Sequence, residues 1–223
     1  MNKIVSSVCS LLFLLLWGSC AVDNYDEPDC QVHGQIVYNG QPLGLKGTGA
    51  TVRIELWQSG FGKEKPQDTM VGQDGSFSTY VYSGRCRIVA KDGIGPWESR
   101  HDTVYVDVTG NVKVDYEVIP YFTLSDVSYA LNPDSVLTAD FDITQVSEKA
   151  QIGSIGIVVN KTRFVDLMSN VKSVSIPGRV GRVSLSVDLK DTMKKERFLF
   201  ARVFVKNAGV DEALYSVDVH QLK

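Results

Sequence analysis

The stretch that decides the fold reads Gln73-Asp74-Gly75-Ser76-Phe77, followed further along by Ser83-Gly84-Arg85-Cys86-Arg87-Ile88. Its Asp-Gly and Ser-Gly pairs supply the positive φ that tight hairpins need. From Arg85 to Lys91, apolar and charged residues largely alternate. Alternation with period two is the signature of a half-buried strand, so this stretch predicts antiparallel strands joined by short turns.

The same alternation recurs outward along the whole chain. Apolar residues at every second position mark further strands, at Val52, Ile54 and Leu56, at Val112, Val114 and Tyr116, and at Val183, Leu185 and Val187. Helical periodicity is nearly absent. Only Lys161–Asn170 and Asp191–Glu196 hint at a helical turn or a long loop. The pattern predicts an all-β chain of two tandem β-sandwiches.

Val118-Ile119-Pro120-Tyr121 is the predicted domain boundary, because proline cannot donate to a continuing strand ladder. Residues 30–119 and 120–223 then suit one seven-stranded sandwich each. The net charge of −3 and the absence of a Lys/Arg block argue against a nucleic-acid surface.

The N-terminus predicts export. Lys3 precedes a mostly apolar run, Ile4–Trp17, which is too short to span a membrane and suits a signal peptide over residues 1–19. Trp17-Gly18-Ser19-Cys20 resembles the lipobox of bacterial lipoproteins, with Trp17 where leucine is usual. It predicts lipidation of Cys20; the alternative is an ordinary signal peptide with a chance cysteine.

Residues 20–29 form a predicted flexible tether, rich in carboxylates and without a basic residue. The tether resembles the acidic export signal of Bacteroidota surface lipoproteins, although a plain solvated linker fits as well. Beyond it, Cys30 and Cys86 would meet an oxidising compartment, where they form either a disulfide or two free buried thiols.

The first domain resembles the carboxypeptidase-regulatory, transthyretin-like sandwich. The likeness rests on Gly34-Gln35-Ile36-Val37, the turn Gly40–Leu43, and the two segments quoted above. Longer stretches are similar to a Bacteroidota lipoprotein family, domain of unknown function 3823; they are Asn24–Pro28, Gly95-Pro96-Trp97 and Val118–Tyr121. That resemblance implies an Ig-like or fibronectin-like second sandwich. It also implies a surface accessory of an outer-membrane uptake pair, which captures glycans or peptides.

No catalytic constellation is recognisable in the sequence, so we expect no enzyme, no cofactor and no metal. The histidines lie far apart, and no His-Glu-x-x-His, Gly-x-Ser-x-Gly or P-loop motif occurs. His101-Asp102 is the one neighbouring acid and imidazole, a pairing more typical of a loop salt bridge than of catalysis.

Three aromatic residues are candidates for stacking on sugar rings: Trp57, Phe61 and Trp97. Trp57 alternates with Arg53 and Glu55 and should point away from the core, although it could instead cover a sheet edge or the domain interface. Trp97, in a glycine-rich loop, could instead plug the end of the sandwich.

Four Asp-hydroxyl-apolar triplets resemble the O-glycosylation acceptor of exported Bacteroidota proteins, with acceptors Thr69, Thr103, Ser135 and Thr192. The alternative is that Asp-Ser and Asp-Thr pairs mark turns. Taken together, the sequence predicts a surface-facing outer-membrane lipoprotein without catalytic activity that assists nutrient uptake and binds a glycan. The alternative from another class is a structural module of a pilus or transporter scaffold, with no soluble ligand.

Overall fold

The computed structural model describes residues 26–49, 52–60, 65–100 and 102–223. Within these ranges the first half of the chain is built from strands alone. They are β1 (Cys30–Tyr38), β2 (Gln41–Pro42), β3 (Arg53–Gln58), β4 (Gln67–Met70), β5 (Ser76–Val81), β6 (Gly84–Ala90), β7 (Thr103–Val108), β8 (Val112–Lys113) and β9 (Tyr116–Glu117).

These strands form two facing sheets, so the first half is a β-sandwich. One sheet has the order β2-β1-β5, with β8 and β9 pairing in parallel with β1, and the other has the order β4-β3-β6-β7. The alternating apolar residues fill the space between them; Val32, Ile36, Ile54 and Ile88 are fully buried. The prediction of an all-β sandwich is confirmed.

The strand predicted through Val112, Val114 and Tyr116 is interrupted. It runs as β8 and β9, and between them the Val114 N–H donates to the His33 carbonyl at 2.8 Å. A Cβ on Gly34 would lie 1.9 Å from the Val114 carbonyl oxygen. The close crossing therefore requires glycine at this position of β1.

The second half is also a sandwich. Its elements are β10 (Phe122–Leu131), β11 (Val136–Gln145), β12 (Ile152–Asn160), β13 (Lys172–Pro177), β14 (Gly181–Asp188), α1 (Lys190–Lys195), β15 (Phe200–Asn207), β16 (Ala213–Tyr215) and β17 (His220–Gln221). One sheet has the order β10-β11-β14, and the other has the order β13-β12-β15-β16, with β17 also pairing with β15. Of the two segments with a helical hint, 191–196 lies largely in α1 and 161–170 is an irregular loop.

Arg202, on β15, fastens the second sandwich to the first. It is fully buried, and its guanidinium donates to the carbonyls of Leu45 at 2.9 Å and Gln73 at 3.1 Å in the first domain. It also donates to the Ser216 carbonyl at 2.7 Å in its own domain. One side chain thus donates to backbone acceptors from three loops, of which the Gln73 carbonyl also accepts from the Leu45 N–H.

A buried carboxylate reinforces this junction. Asp166 accepts hydrogen bonds from the Gly47 and Thr48 N–H groups at 3.2 and 3.1 Å. Nearby, Lys46 and Glu212 form an ion pair at 3.0 Å with both side chains largely buried. Because these contacts join the domains through backbone groups, the two sandwiches pack as one unit.

A second junction lies at the domain boundary. Trp97 and Pro120 form a β-bridge, and the next residue, Glu98, accepts hydrogen bonds from Ser147 and, at 3.0 Å, from Lys149 of the second domain. The hydrogen bond from Ser147, and then the one from Lys149, hold the pKa of Glu98 below its usual range.

Replacing Glu98 with glutamine is expected to weaken this junction and to flatten the acid dependence of stability. The folded-state pKa of Glu98 is depressed, so its contribution is present above the unfolded value and is lost as the pH falls through the folded one. Urea unfolding between about pH 6 and pH 3 measures the effect. The exposed Glu148 provides the control variant, Glu148→Gln. Equal acid sensitivity of the wild type and Glu98→Gln would contradict the assignment.

Candidate functional site

The most distinctive surface is the outer face of the sheet β4-β3-β6-β7. Trp57, Arg87 and Tyr105 are direct cross-strand neighbours on β3, β6 and β7 and form one row. Arg85 lies two residues before Arg87 on the same side of β6. We call these four residues the aromatic–arginine face.

The side chains of this face stack as cation–π pairs. The Arg87 guanidinium carbon lies 4.6 Å from the centroid of the Trp57 ring, and that of Arg85 lies 4.9 Å from the centroid of Tyr105. The Trp57 indole N–H donates to Glu55 at 3.2 Å. These contacts orient both rings and both guanidinium groups before any ligand arrives.

A shallow depression of about 190 Å³ lies over the row and is lined by Trp57, Ser59, Arg85, Arg87 and Tyr105, with Cys86 beneath. Tyr105 is 58% exposed, whereas Trp57 and Arg87 are half-buried. The depression therefore presents ring surface beside polar hydrogen-bond donors, and it is open enough to admit a polymer.

Some charged side chains around the face form ion pairs, and others do not. Arg53 pairs with Asp68 at 2.9 Å on one side, and Lys91 lies 3.8 Å from Glu55 on another. Within the described residues, Arg85 and Arg87 form no ion pair with a carboxylate. Among the described residues, the face thus offers two guanidinium groups that stack on aromatic rings and pair with no carboxylate.

The chemistry of this face suits the recognition of sugar rings. Aromatic faces and fixed donors recognise flat, hydroxylated rings, since the apolar side of such a ring stacks and its oxygens accept hydrogen bonds. Among the described residues, no group of three or more His, Cys, Asp or Glu side chains comes together in a way that could hold a metal ion.

Of the three aromatic residues expected from the sequence, the two that the structure describes, Trp57 and Trp97, do not share one surface. Trp57 does point outward, as expected, but Arg87 covers one face of its ring. Trp97 is only 5% exposed and is bridged to Pro120, so it plugs the end of the sandwich, the alternative that the sequence left open. Phe61 lies outside the described residues.

Sequence reasoning missed Tyr105 and the two arginines. Tyr105 lies on β7, and its side chain is on the exposed face of that strand. The signal was available in the pattern, because Val104 and Val106 alternate with Tyr105 and Asp107. What the pattern could not give was the register that sets Tyr105 beside Arg87.

Cys30 and Cys86 lie in different sheets, on β1 and β6, and both are buried free thiols in this structure. Burial is the main cause that raises the pKa of each thiol, so neither is a reactive thiolate at neutral pH. The disulfide between them stays a prediction.

The four candidate O-glycosylation acceptors differ in access. Thr69 is 4% exposed, and its hydroxyl is enclosed within β4, so a folded chain does not present it to a transferase. Thr103 is exposed, and Ser135 and Thr192 are partly exposed. Ser135 has φ of 65° in the turn before β11, as expected if the Asp-Ser pair marks a turn.

Cys20 and the signal peptide lie outside the described residues, as does His101 of the His-Asp pair. The part of the tether that is described, Asp26–Asp29, has no regular secondary structure. In the described ranges, no helix has the length and apolar character to cross a membrane.

The fold and the face define a class, namely two-domain proteins of tandem β-sandwiches joined by a polar junction. The chain belongs to the DUF3823 family. The model of the DUF3823 N-terminal domain matches residues 30–119, and that of the DUF3823_C domain, described as a domain of unknown function, matches residues 122–220.

Solved structures agree with this assignment. A DUF3823 family protein from Parabacteroides merdae is 36% identical, with a TM-score of 0.83 over 89% of this chain and 100% of that one. One from Bacteroides ovatus is 27% identical, with a TM-score of 0.79 over 87% and 100%. A third, from Bacteroides uniformis, is described as a "putative carbohydrate binding protein"; it is 18% identical, with a TM-score of 0.70 over 88% and 99%, and shares the fold. No curated protein matches the chain.

Proposed function

We propose that the chain is a surface lipoprotein that holds a glycan on its aromatic–arginine face and has no catalytic role. The single observation that carries the binding proposal is the row Trp57–Arg87–Tyr105, in which rings and donors are already oriented on an open sheet face. Such pre-orientation lowers the entropy lost when a ligand binds.

Two further observations support this function. A structure with the same fold is described as a carbohydrate-binding candidate, although its identity to this chain is low. In addition, the buried contacts of Arg202 and Asp166 hold the two sandwiches together, as suits a rigid support for a binding surface.

The location is proposed from the sequence. The lipobox at Cys20 and the acidic tether behind it support a lipid anchor on the outer membrane, with the folded part facing outward. There the protein would act as an accessory to a transporter and its lipoprotein lid, handing on captured polysaccharide or peptide.

Substituting Tyr105 by alanine in residues 21–223 is expected to weaken polysaccharide binding by about tenfold, because a ring contact of roughly 1.4 kcal/mol is lost. Trp57→Ala should have at least the same effect, since it also frees Arg87. Retardation in native gels that contain a panel of polysaccharides measures the binding.

The matched control is Tyr80→Ala. Tyr80 is 60% exposed, almost as much as Tyr105, but it lies on β5 of the other sheet. It should leave retardation unchanged. If no polysaccharide retards the wild type and the protein instead co-purifies with a membrane partner, the capture role is excluded and the structural-module alternative is favoured.

A further inference from the structure

We propose that the aromatic–arginine face selects acidic glycans, with Arg85 and Arg87 binding uronic acid carboxylates while a sugar ring lies against Tyr105. This rests on the proposed glycan-binding function and names the class of ligand. No step of it requires a metal or a covalent intermediate.

The first argument is that these two cations lack an anion. Neighbouring charges on the sheet are matched, as Arg53 is with Asp68 and Lys91 with Glu55. In contrast, neither the Arg85 nor the Arg87 side chain forms an ion pair or a hydrogen bond among the described residues, although Asp107 lies opposite Arg85 in the register. A carboxylate of the ligand supplies the anionic partner with which neither arginine pairs among the described residues.

The second argument is geometric. Each guanidinium carbon lies over an aromatic ring, and a ring accepts no conventional hydrogen bond, so the guanidinium N–H groups are left to donate to a ligand. Such an edge matches a carboxylate with two parallel hydrogen bonds. Residues two apart on one strand are separated by about 7 Å, so both edges can reach carboxylates of one polysaccharide chain.

The third argument is the charge of the whole protein. The chain carries −3 overall, so polyanions are not attracted to its surface in general. It also lacks the basic stripe that a nucleic acid requires. An acidic polymer is therefore expected to bind where arginines lie beside exposed rings and to depend on those arginines.

The test compares polygalacturonate with the same polymer after full methyl esterification, which removes the carboxylate charge and keeps the backbone. Binding to residues 21–223 is measured by calorimetry at about 0.15 M salt. The variants are Arg85→Gln and Arg87→Gln. The control is Arg182→Gln, an exposed arginine of the second domain that pairs with Asp142.

The wild type is expected to bind polygalacturonate at least about tenfold more tightly than the ester. The reason is that esterification removes the charge-assisted hydrogen bonds between the arginines and the carboxylates. Arg85→Gln and Arg87→Gln should each remove most of the preference for polygalacturonate over the ester, and Arg182→Gln should keep that preference. Equal binding of both polymers, or a preference that survives both substitutions, would overturn the selectivity and leave the glycan-binding function intact. Failure to bind any polysaccharide would overturn both.

Discussion

Methionine in place of Arg202 is expected to lower the free energy of unfolding by about 2–6 kcal/mol, because each buried carbonyl left without a donor costs about 1–3 kcal/mol. Methionine keeps much of the volume but donates no hydrogen bond. The carbonyls of Leu45 and Ser216 would lose the donor that each has now, and the Gln73 carbonyl would keep only the Leu45 N–H. Burial lowers the pKa of Arg202 to about 10, so the side chain is still protonated at neutral pH.

Because these carbonyls belong to both sandwiches, the loss should also separate their unfolding. Chemical denaturation followed by intrinsic fluorescence is expected to change from one transition to two. Arg182→Met, on the exposed face of β14, should have a much smaller effect and keep a single transition. A loss below about 1 kcal/mol with one transition would show that the junction does not depend on Arg202.

Serine in place of Cys20 is expected to release the protein from membranes completely. Serine offers no thiol for the diacylglycerol, and without the acyl chains the acidic tether has too little apolar surface to insert stably. Fractionation of cells that express full-length chains measures the release, with Cys30→Ser as the control because Cys30 is buried in β1. Continued membrane retention of Cys20→Ser would contradict the lipid anchor, and resistance of the wild type to protease on intact cells would contradict its surface exposure.

The local alternation of apolar and polar residues was sufficient to predict individual strands. The alternation through Val183, Leu185 and Val187 gave β14, and that through Cys86 and Ile88 gave β6, because period two is a property of each strand by itself. The predicted boundary near Pro120 also rests on a local signal, a residue that cannot continue a ladder, and it stays a prediction.

The junction and the candidate face depend on distant parts of the chain and were not predicted. Arg202 stands in the run Phe200–Asn207, and nothing near it in sequence shows that the Leu45 and Gln73 carbonyls converge on it. In the same way, Trp97 was a candidate for ligand contact until its bridge to Pro120 placed it in the interior. Strand register and long-range packing determine where such side chains lie in the folded protein. Neither can be derived from the local periodicity of a single sequence.

The most direct test of glycan binding at the aromatic–arginine face uses the indole N–H signals of ¹⁵N-labelled residues 21–223. This segment contains two tryptophans, Trp57 on the face and Trp97 in the interior, so one signal reports on the site and the other is an internal control. Titration with a polysaccharide that retards the protein in gels is predicted to shift the Trp57 signal in a saturable way and to leave that of Trp97 in place. A bound polysaccharide that leaves the Trp57 signal unmoved would contradict this account of the site.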